Sequence, residues 1–288
     1  MTSPPTAIAP PSELFTIRPT PSGYLGAFST RHIPRGSLVL ADSPLFVLDA
    51  PLQAYLFSRM QSGSGGGPTP PEGEEEQELP TTLEEFLDRQ IRTMLEWKTE
   101  EQRKAFWELA NTRPEVPSAY GIFLTNAVQT KDETGGLFPS LSRFNSSCRP
   151  TLSRPSWDPS TSTTNLYALR DISPDEELTW TYLNVTFEFE GVEARREEMK
   201  KVFEFECGCF GCLGQELGGM GEEERKGSER RLLRLRGLKE RIDWSEEGDG
   251  ERRRETLRKM AELAREEGLW ETADRLEKST QLLEPTEA

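Results

Sequence analysis

The cysteines constrain this sequence more than any other feature. Four cysteines occur in 288 residues, and Cys207, Cys209 and Cys212 form a C-x-C-x-x-C cluster. Thiolates that close together can converge on one metal ion, and a tetrahedral zinc site then needs a fourth ligand. Only Cys148 can supply a fourth sulfur, and His32 is the single histidine. The sequence therefore predicts a structural zinc site with four thiolate ligands, which ties the cluster back to Cys148.

Two other states of the cysteines compete with zinc. Free cysteines pack in protein cores as small apolar residues, and disulfides form in oxidising compartments. Residues 1–12 have neither the basic start nor the apolar core of a signal peptide, and no apolar run approaches the ~20 residues that span a bilayer. We therefore expect a reducing, intracellular location (nucleus, cytoplasm or both) without membrane association, and we favour zinc.

The charge balance indicates the kind of partner. The formal net charge is −15 and the isoelectric point is about 4.8. Nucleic-acid phosphates are neutralised by Lys and Arg patches, which such a chain is poorly suited to offer. We expect no direct binding to nucleic acid, and a partner or substrate segment that is basic, although acidity also serves solubility. A monomer is expected.

The first half of the sequence changes in composition and in apolar pattern several times. Residues 1–12, rich in proline, and residues 61–80, rich in Gly, Pro and Glu, are predicted to be disordered, because they cannot bury enough apolar surface to offset the entropy of ordering. Between them, short strands are predicted at 14–17, near Phe28 and at 37–40.

Helical spacing of apolar residues begins after this linker. Thr81 or Thr82 can cap a first helix, and a second helix is expected at about 99–111. Together they predict a helical insertion at 81–112. Residues 120–124 have the character of a strand or a short helix.

The second half returns to strands and then becomes helical. A strand is predicted at 165–169, and another leads into Tyr182. The region from 214 to 288 is rich in Leu, Glu, Arg and Lys and is predicted to form an antiparallel helical array. Its helices are expected at about 231–242, 252–266 and 270–283.

Four motifs, in this order, resemble those of the SET-domain protein lysine methyltransferases, and among them the SET-and-MYND-like branch. They are a glycine-containing opening at 23–45, an R-x-N-x-S-C-x-P segment at 143–150, an R-D-I…E-E-L-T-x-x-Y segment at 170–182 and the post-SET cluster at 207–212. The resemblance covers about residues 14–213. The MYND cysteine cluster is absent from the sequence, and the linker at 61–80 lies roughly where that module is inserted.

The resemblance implies a fold. It is an α+β fold, with a β-rich SET domain of small sheets in which segments 141–148 and 178–182 cross in a pseudoknot-like manner near the active site. The SET domain is expected at 13–190, interrupted by the helical insertion. A zinc-binding post-SET segment is expected at 191–213, followed by the helical C-terminal region.

The resemblance also implies roles for particular residues. Tyr182 corresponds to the catalytic tyrosine whose hydroxyl points at the transferred methyl group, and Phe203 to an aromatic wall of the lysine channel. The expected cofactor-binding residues are Gly26, Asn126, Asn145, Ser146 and Phe205. In the family, the cysteine corresponding to Cys148 completes the zinc site with the post-SET trio. The alternatives are a half-buried strand tyrosine, a turn asparagine and ordinary core phenylalanines.

The implied activity is methyl transfer from S-adenosylmethionine to a lysine amine of a histone tail or another basic protein segment. Ser146 stands where the family has histidine, and Thr151 where it has asparagine. These two departures motivate a rival reading, a non-catalytic SET-fold interaction module that keeps its zinc site for structure. A third reading is a zinc-containing protein without the SET fold.

Overall fold

The computed structural model describes residues 13–20, 23–61, 80–130, 134–213, 215–242, 244 and 249–283. The disorder predicted for 1–12 and for almost all of 61–80 therefore lies outside the described residues. The chain forms two compact units. Within the described residues, these units comprise 40–142 with 155–165, and 13–39 with 143–154 and 166–283.

The secondary structure is mixed, as the α+β prediction requires. The strands are β1 (Phe15–Pro19), β2 (Leu25–Ser29), β3 (Leu38–Asp42), β4 (Phe46–Asp49), β5 (Val128–Gln129), β6 (Thr134–Leu137), β7 (Ser156–Asp158), β8 (Thr163–Tyr167) and β9 (Glu177–Leu178). The helices are α1 (Ala50–Gln61), α2 (Leu83–Glu96), α3 (Glu100–Trp107), α4 (Ser118–Asn126), α5 (Val192–Phe203), α6 (Glu222–Glu240), α7 (Gly250–Glu266) and α8 (Trp270–Leu282).

The first unit contains a sheet in the order β4-β6-β5, with antiparallel neighbours, and helices α1 to α4. Its core is formed by apolar side chains of β4, β6 and helices α2 to α4, among them Phe46, Ile91, Phe106 and Leu137. The predicted strand or short helix at 120–124 is helix α4. It buries Ala119, Ile122 and Phe123, which recur at helical spacing and so settle the choice.

Capping residues define where α2 and α3 begin. The Thr82 side chain accepts a hydrogen bond from the Glu85 backbone N–H, and the Glu85 carboxylate accepts one from the Thr82 backbone N–H. Thr99 and Gln102 form the same capping box at α3. The predicted cap at Thr81 or Thr82 is confirmed at Thr82, whereas the second helix ends earlier than predicted.

The second unit contains a sheet in the order β1-β2-β9, again antiparallel. The strand predicted to lead into Tyr182 pairs with β2 only at Glu177 and Leu178. The residues that follow change partner: the Thr179 carbonyl accepts from Thr151 N–H, and the Trp180 carbonyl from Ser147 N–H. This change of partner makes β9 shorter than predicted. A third sheet has the order β3-β8-β7, and β7 with most of β3 and β8 belongs to the first unit.

Helices α5 to α8 also belong to the second unit. Leu232, Leu235, Met260 and Ala264 are among the buried residues that hold α6 and α7 together. Helix α6 begins earlier than the predicted 231–242, because its first turn carries glutamates that favour a helix N-terminus. Helix α5 was missed by the sequence analysis, as was α1. None of the described helices combines the length and apolar character needed to cross a membrane.

A buried carboxyl group in the first unit makes stability depend on pH. Asp42 is 5% exposed, and its Oδ2 accepts a 3.0 Å hydrogen bond from Leu141 N–H. Burial raises the pKa of Asp42 from 3.8 to about 6, although backbone hydrogen bonds from Leu141 and Ser140 lower it. The unfolded chain therefore ionises Asp42 at lower pH than the folded chain does. Between pH 4 and 6 this carboxyl group costs stability increasingly as pH rises.

We expect Asp42→Asn to remove that cost and keep the oxygen that accepts from Leu141. Wild type should lose about 2–3 kcal/mol more stability than the variant between pH 4 and 7, since each pKa unit corresponds to about 1.36 kcal/mol and part of the effect already operates at pH 4. Denaturant unfolding at several pH values measures the difference. Asp175→Asn, at a carboxylate that is 76% exposed, is the control. Parallel pH profiles for Asp42→Asn and wild type would contradict the prediction.

Candidate functional site

The four cysteines meet in the second unit. Their sulfur atoms all lie within 4.8 Å of one another. Cys148 Sγ lies 3.5 Å from Cys212 Sγ and 3.9 Å from Cys207 Sγ. Cys148, Cys207 and Cys212 are buried, and Cys209 is partly buried. The structure thus brings the lone cysteine and the cluster together, as the sequence predicted.

These distances fit a metal ion better than a disulfide. Sulfurs in a disulfide are about 2.05 Å apart. Thiolates about 2.3 Å from a tetrahedral zinc ion are about 3.8 Å from each other. The separations at Cys148 lie on either side of that value, so the cluster can hold zinc without large movement. Four thiolates leave no open coordination position, which makes such a site structural.

Cys209 has the most thiolate character of the four. Hydrogen bonds from the thiols of Cys148, Cys207 and Cys212 lower its pKa well below the usual value, although burial raises it. The Cys148 backbone N–H also donates to Cys209 Sγ across 3.4 Å. Metal ions bind the deprotonated sulfur, so Cys209 is prepared for that role.

Tyr182 lies beside the cysteines among aromatic rings. Its ring centroid is 4.5 Å from that of Trp180, 5.3 Å from that of Phe203 and 6.4 Å from that of Phe205. We call these four residues the aromatic cluster. The Tyr182 hydroxyl donates a 2.8 Å hydrogen bond to the Phe144 carbonyl, and burial raises the pKa of Tyr182. The phenol is therefore fixed in orientation and stays neutral at physiological pH.

Asn145 is held against the sheet β1-β2-β9. Its Nδ2 donates to Glu177 Oε1 at 2.8 Å and to the Leu25 carbonyl at 3.2 Å. A Cβ atom at Gly26 would lie 2.7 Å from Glu177 Oε1 and 2.9 Å from Asn145 Nδ2. Gly26 is therefore the residue type that lets these two side chains approach the strand.

Ser146 connects the Asn145 segment to the segment that carries Tyr182. Its Oγ accepts a 3.2 Å hydrogen bond from Tyr182 N–H, and Ser146 forms a parallel bridge with Trp180. Thr151 makes a second connection, because its Oγ1 accepts from Thr179 N–H at 2.9 Å. Segments 141–148 and 178–182, expected to cross, therefore pair directly. Both residues that depart from the family pattern take part in this pairing.

The sequence predicts no role for Glu177 or Trp180. Trp180 precedes Tyr182 by two residues, and alternate residues of an extended segment point to the same side. That spacing could have predicted the contact of the two rings. No spacing in the sequence predicts the contact of Glu177 with Asn145, because the two residues are far apart in sequence and meet only in the folded chain.

Asn126 lies in the first unit, at the end of α4. Its Nδ2 donates to the carbonyls of Ala110 and Ile122, at 2.7 and 2.8 Å. Its expected role near the cofactor stays a prediction. His32 is exposed in the second unit.

A buried ion-pair network connects the four clustered cysteines to the C-terminal helices. Arg149 follows Cys148, donates to its carbonyl at 2.7 Å and forms an ion pair with Glu267. The Glu267 side chain is fully buried and also accepts from Ser228 and from Arg231 Nε. Burial raises the pKa of Glu267, but the arginine charges and hydrogen bonds outweigh it, so the net direction is downward.

The fold, the cysteine cluster and the paired segments define a protein class. Residues 24–183, more than half of the chain, match the SET domain family, and the chain belongs to that family.

Two curated proteins are similar in sequence to this chain. The chain is 25% identical over 206 residues to the histone-lysine N-methyltransferase set5 of Schizosaccharomyces pombe, an alignment that covers 71% of this chain and 52% of that protein. It is 40% identical over 81 residues to the human histone-lysine N-methyltransferase SMYD3, covering 28% of this chain and 18% of that protein. The chain thus spans about half the length of the first relative and less of the second.

Proposed function

We propose that this chain is an S-adenosylmethionine-dependent protein lysine methyltransferase with a structural zinc ion. The observation that carries the proposal is the meeting of three features in one unit: the fixed hydroxyl of Tyr182, the aromatic cluster and the Asn145–Glu177 pair beside Gly26. The names of both relatives support a lysine substrate in a histone. The zinc ligands are Cys148, Cys207, Cys209 and Cys212.

The residues have distinct roles in this proposal. S-adenosylmethionine supplies a methyl group on a positively charged sulfur, and the transfer breaks that carbon–sulfur bond as a carbon–nitrogen bond forms. Gly26, Asn145, Ser146 and Phe205, which share one unit, bind the cofactor. Tyr182 orients the methyl group through its hydroxyl, and Phe203 forms a wall of the lysine channel.

The aromatic cluster also prepares the acceptor. A lysine amine is nucleophilic only when it is neutral, and apolar surroundings lower the pKa of an ammonium group because they penalise its charge. The rings of Trp180, Phe203 and Phe205 can supply such surroundings next to Tyr182. They also exclude water, which helps positioning, an effect worth ~7–11 kcal/mol in well-oriented systems.

The substrate follows from charge and from the relatives. A chain with a net charge of −15 attracts basic segments, so we propose a histone tail or another basic lysine-containing protein. A histone substrate implies a nuclear role, and a cytosolic basic protein implies a cytoplasmic one. Incubation with radiolabelled S-adenosylmethionine, purified histones and cell extract distinguishes these substrates.

The rival function is a non-catalytic interaction module. It was motivated by Ser146 and Thr151, but both side chains accept hydrogen bonds from the Tyr182 segment. They support the crossing of the two segments, which favours a working pocket. Calorimetric titration with S-adenosylmethionine separates the two functions: binding supports the enzyme, whereas absence of binding by the folded, zinc-loaded protein excludes it.

Gly26→Ala should weaken cofactor binding about tenfold or more. The added methyl group would lie within 3 Å of Glu177, Thr20 and Asn145 side-chain atoms, so the Asn145 amide must move from its place. Overpacking of this kind costs about 1–3 kcal/mol. Calorimetry with S-adenosylmethionine measures the loss.

The matched control is Gly237→Ala, in helix α6, where an added Cβ meets nothing within 4 Å. This variant should bind the cofactor as wild type does. Equal cofactor affinity of Gly26→Ala and Gly237→Ala would remove Gly26 from the binding site.

A further inference from the structure

Arg195 is a buried cation in helix α5. It is 1% exposed and ranks among the largest fully buried side chains. Its Nη1 donates to the Glu190 carbonyl, and its Nη2 donates to the Gly211 carbonyl at 3.3 Å. Among the described residues, no carboxylate forms an ion pair with it, and its Nε has no hydrogen-bond partner.

A buried charge needs compensation. Moving a guanidinium out of water costs several kcal/mol unless an anion or a full set of hydrogen bonds repays it. Two backbone carbonyls satisfy part of the hydrogen-bonding capacity of Arg195 but none of its charge. The anion that balances it must therefore be sought in its surroundings.

The four clustered cysteines lie beside Arg195, which lines one cavity together with Cys148. Arg195 shares its face of α5 with Val192 and Met199, both buried against the cysteine cluster. Gly211, whose carbonyl it holds, lies directly before Cys212.

A carboxylate also lies nearby but has other partners. Glu188, Arg195 and Cys148 line one cavity of about 20 Å³, close to the size of a single water molecule. Glu188 already pairs with Arg275 at 2.7 Å and with Arg154 at 3.5 Å. Two cations thus share this carboxylate, and it forms no ion pair with Arg195.

We propose that Arg195 is the counter-cation of the four-thiolate zinc site. Four thiolates and one zinc ion carry a net charge of about −2, which the guanidinium partly neutralises while Nη2 fixes the backbone of the Cys209–Cys212 turn. Arg195 is a positioning residue and does not ligate the metal. This inference rests on the proposed zinc site.

The test compares zinc retention in variants of two neighbouring arginines. Arg195→Gln removes the charge and keeps hydrogen-bond donors, and Arg195→Lys keeps the charge. Arg196→Gln is the control, because Arg196 lies on the same helix but is 42% exposed and pairs with Glu206 at the surface. The readout is the rate at which the intact, zinc-loaded protein transfers zinc to a chromogenic chelator.

We expect Arg195→Gln to release zinc about 10–100-fold faster than wild type, the usual range for a residue that supports metal ligands. The rate of zinc release from Arg195→Lys should lie between those of Arg195→Gln and wild type, and the rate from Arg196→Gln should equal that of wild type. A rate of zinc release from Arg195→Gln equal to that of wild type would overturn the inference. Equal acceleration in the Gln and Lys variants would also overturn it, because packing rather than charge would then be responsible.

Cobalt substitution adds a readout that folding stability does not move. A nearby cation stabilises sulfur electrons, so the sulfur-to-cobalt charge-transfer band should shift to lower energy in Arg195→Gln and remain near the wild-type position in Arg195→Lys. If Arg195→Gln does not fold, the Lys variant decides: a wild-type band supports the inference, and a shifted band overturns it. Wild-type protein without zinc would instead refute the zinc site itself.

Discussion

Tyr182→Phe should reduce the rate of methyl transfer about 10²-fold or more while leaving the fold intact. The substitution removes one hydroxyl, whose hydrogen bond to the Phe144 carbonyl contributes only about 1 kcal/mol to stability. A positioned polar group at a reacting centre contributes about 10²–10³ in rate. Single-turnover transfer from labelled S-adenosylmethionine to histones measures the loss.

Tyr167→Phe provides the matched control. Tyr167 lies on β8 and is 40% exposed, so loss of its hydroxyl should leave the transfer rate unchanged. Calorimetry should find cofactor affinity within about threefold of wild type in both variants, because the proposed role of Tyr182 concerns orientation more than affinity. Equal transfer rates for the two variants would exclude Tyr182 from the mechanism.

Cys207→Ser should reduce zinc from one ion per chain to well below one, and lower Tm by about 10 °C. Cys207 is 2% exposed, and metal binding at such a site is coupled to folding. A loss of several kcal/mol corresponds to this shift at roughly 2–4 °C per kcal/mol. Elemental analysis and thermal unfolding measure the two effects, and treatment of wild type with a strong chelator should reproduce the second.

Gly208→Ala serves as the control next to this ligand. An added Cβ at Gly208 meets nothing within 4 Å, so the variant should keep both zinc and the wild-type Tm. A full complement of zinc in Cys207→Ser would show that the metal does not need this thiolate.

Part of this fold was predictable because local signals were strong. The threonine caps of α2 and α3 carry their partners three residues later, and the apolar spacing behind them is regular. The cysteines were predictable for another reason: their number and spacing allow one tetrahedral site. Neither signal needs knowledge of distant contacts.

The missed elements lacked such signals. Helix α1 exposes Leu52, Tyr55 and Leu56, so its apolar residues do not mark a buried stripe. Helix α5 buries Arg195 between Val192 and Met199. A charged residue at a buried position interrupts the apolar spacing by which a helix is predicted. Tertiary partners, which the sequence does not display, determine both.

The site was predictable as a set of motifs but not as a geometry. Asn145, Ser146 and Tyr182 were identified from their motifs, yet the bond from Tyr182 N–H to Ser146 Oγ joins segments distant in sequence. The pairing of Asn145 with Glu177 has the same origin. Such contacts arise from the path of the chain, and residue spacing alone does not specify them.

The ion pair of Arg149 and Glu267 bears on how this protein can be engineered. A shortened chain that stops after Cys212 would leave Arg149 without its carboxylate, next to the proposed zinc ligand Cys148. The same truncation would expose Arg149 to water, so the loss is that of its hydrogen bonds to Glu267 and of the packing around them, rather than the penalty of an unpaired buried charge. A shortened chain should therefore keep the C-terminal helices, or carry a replacement of Arg149 when they are removed.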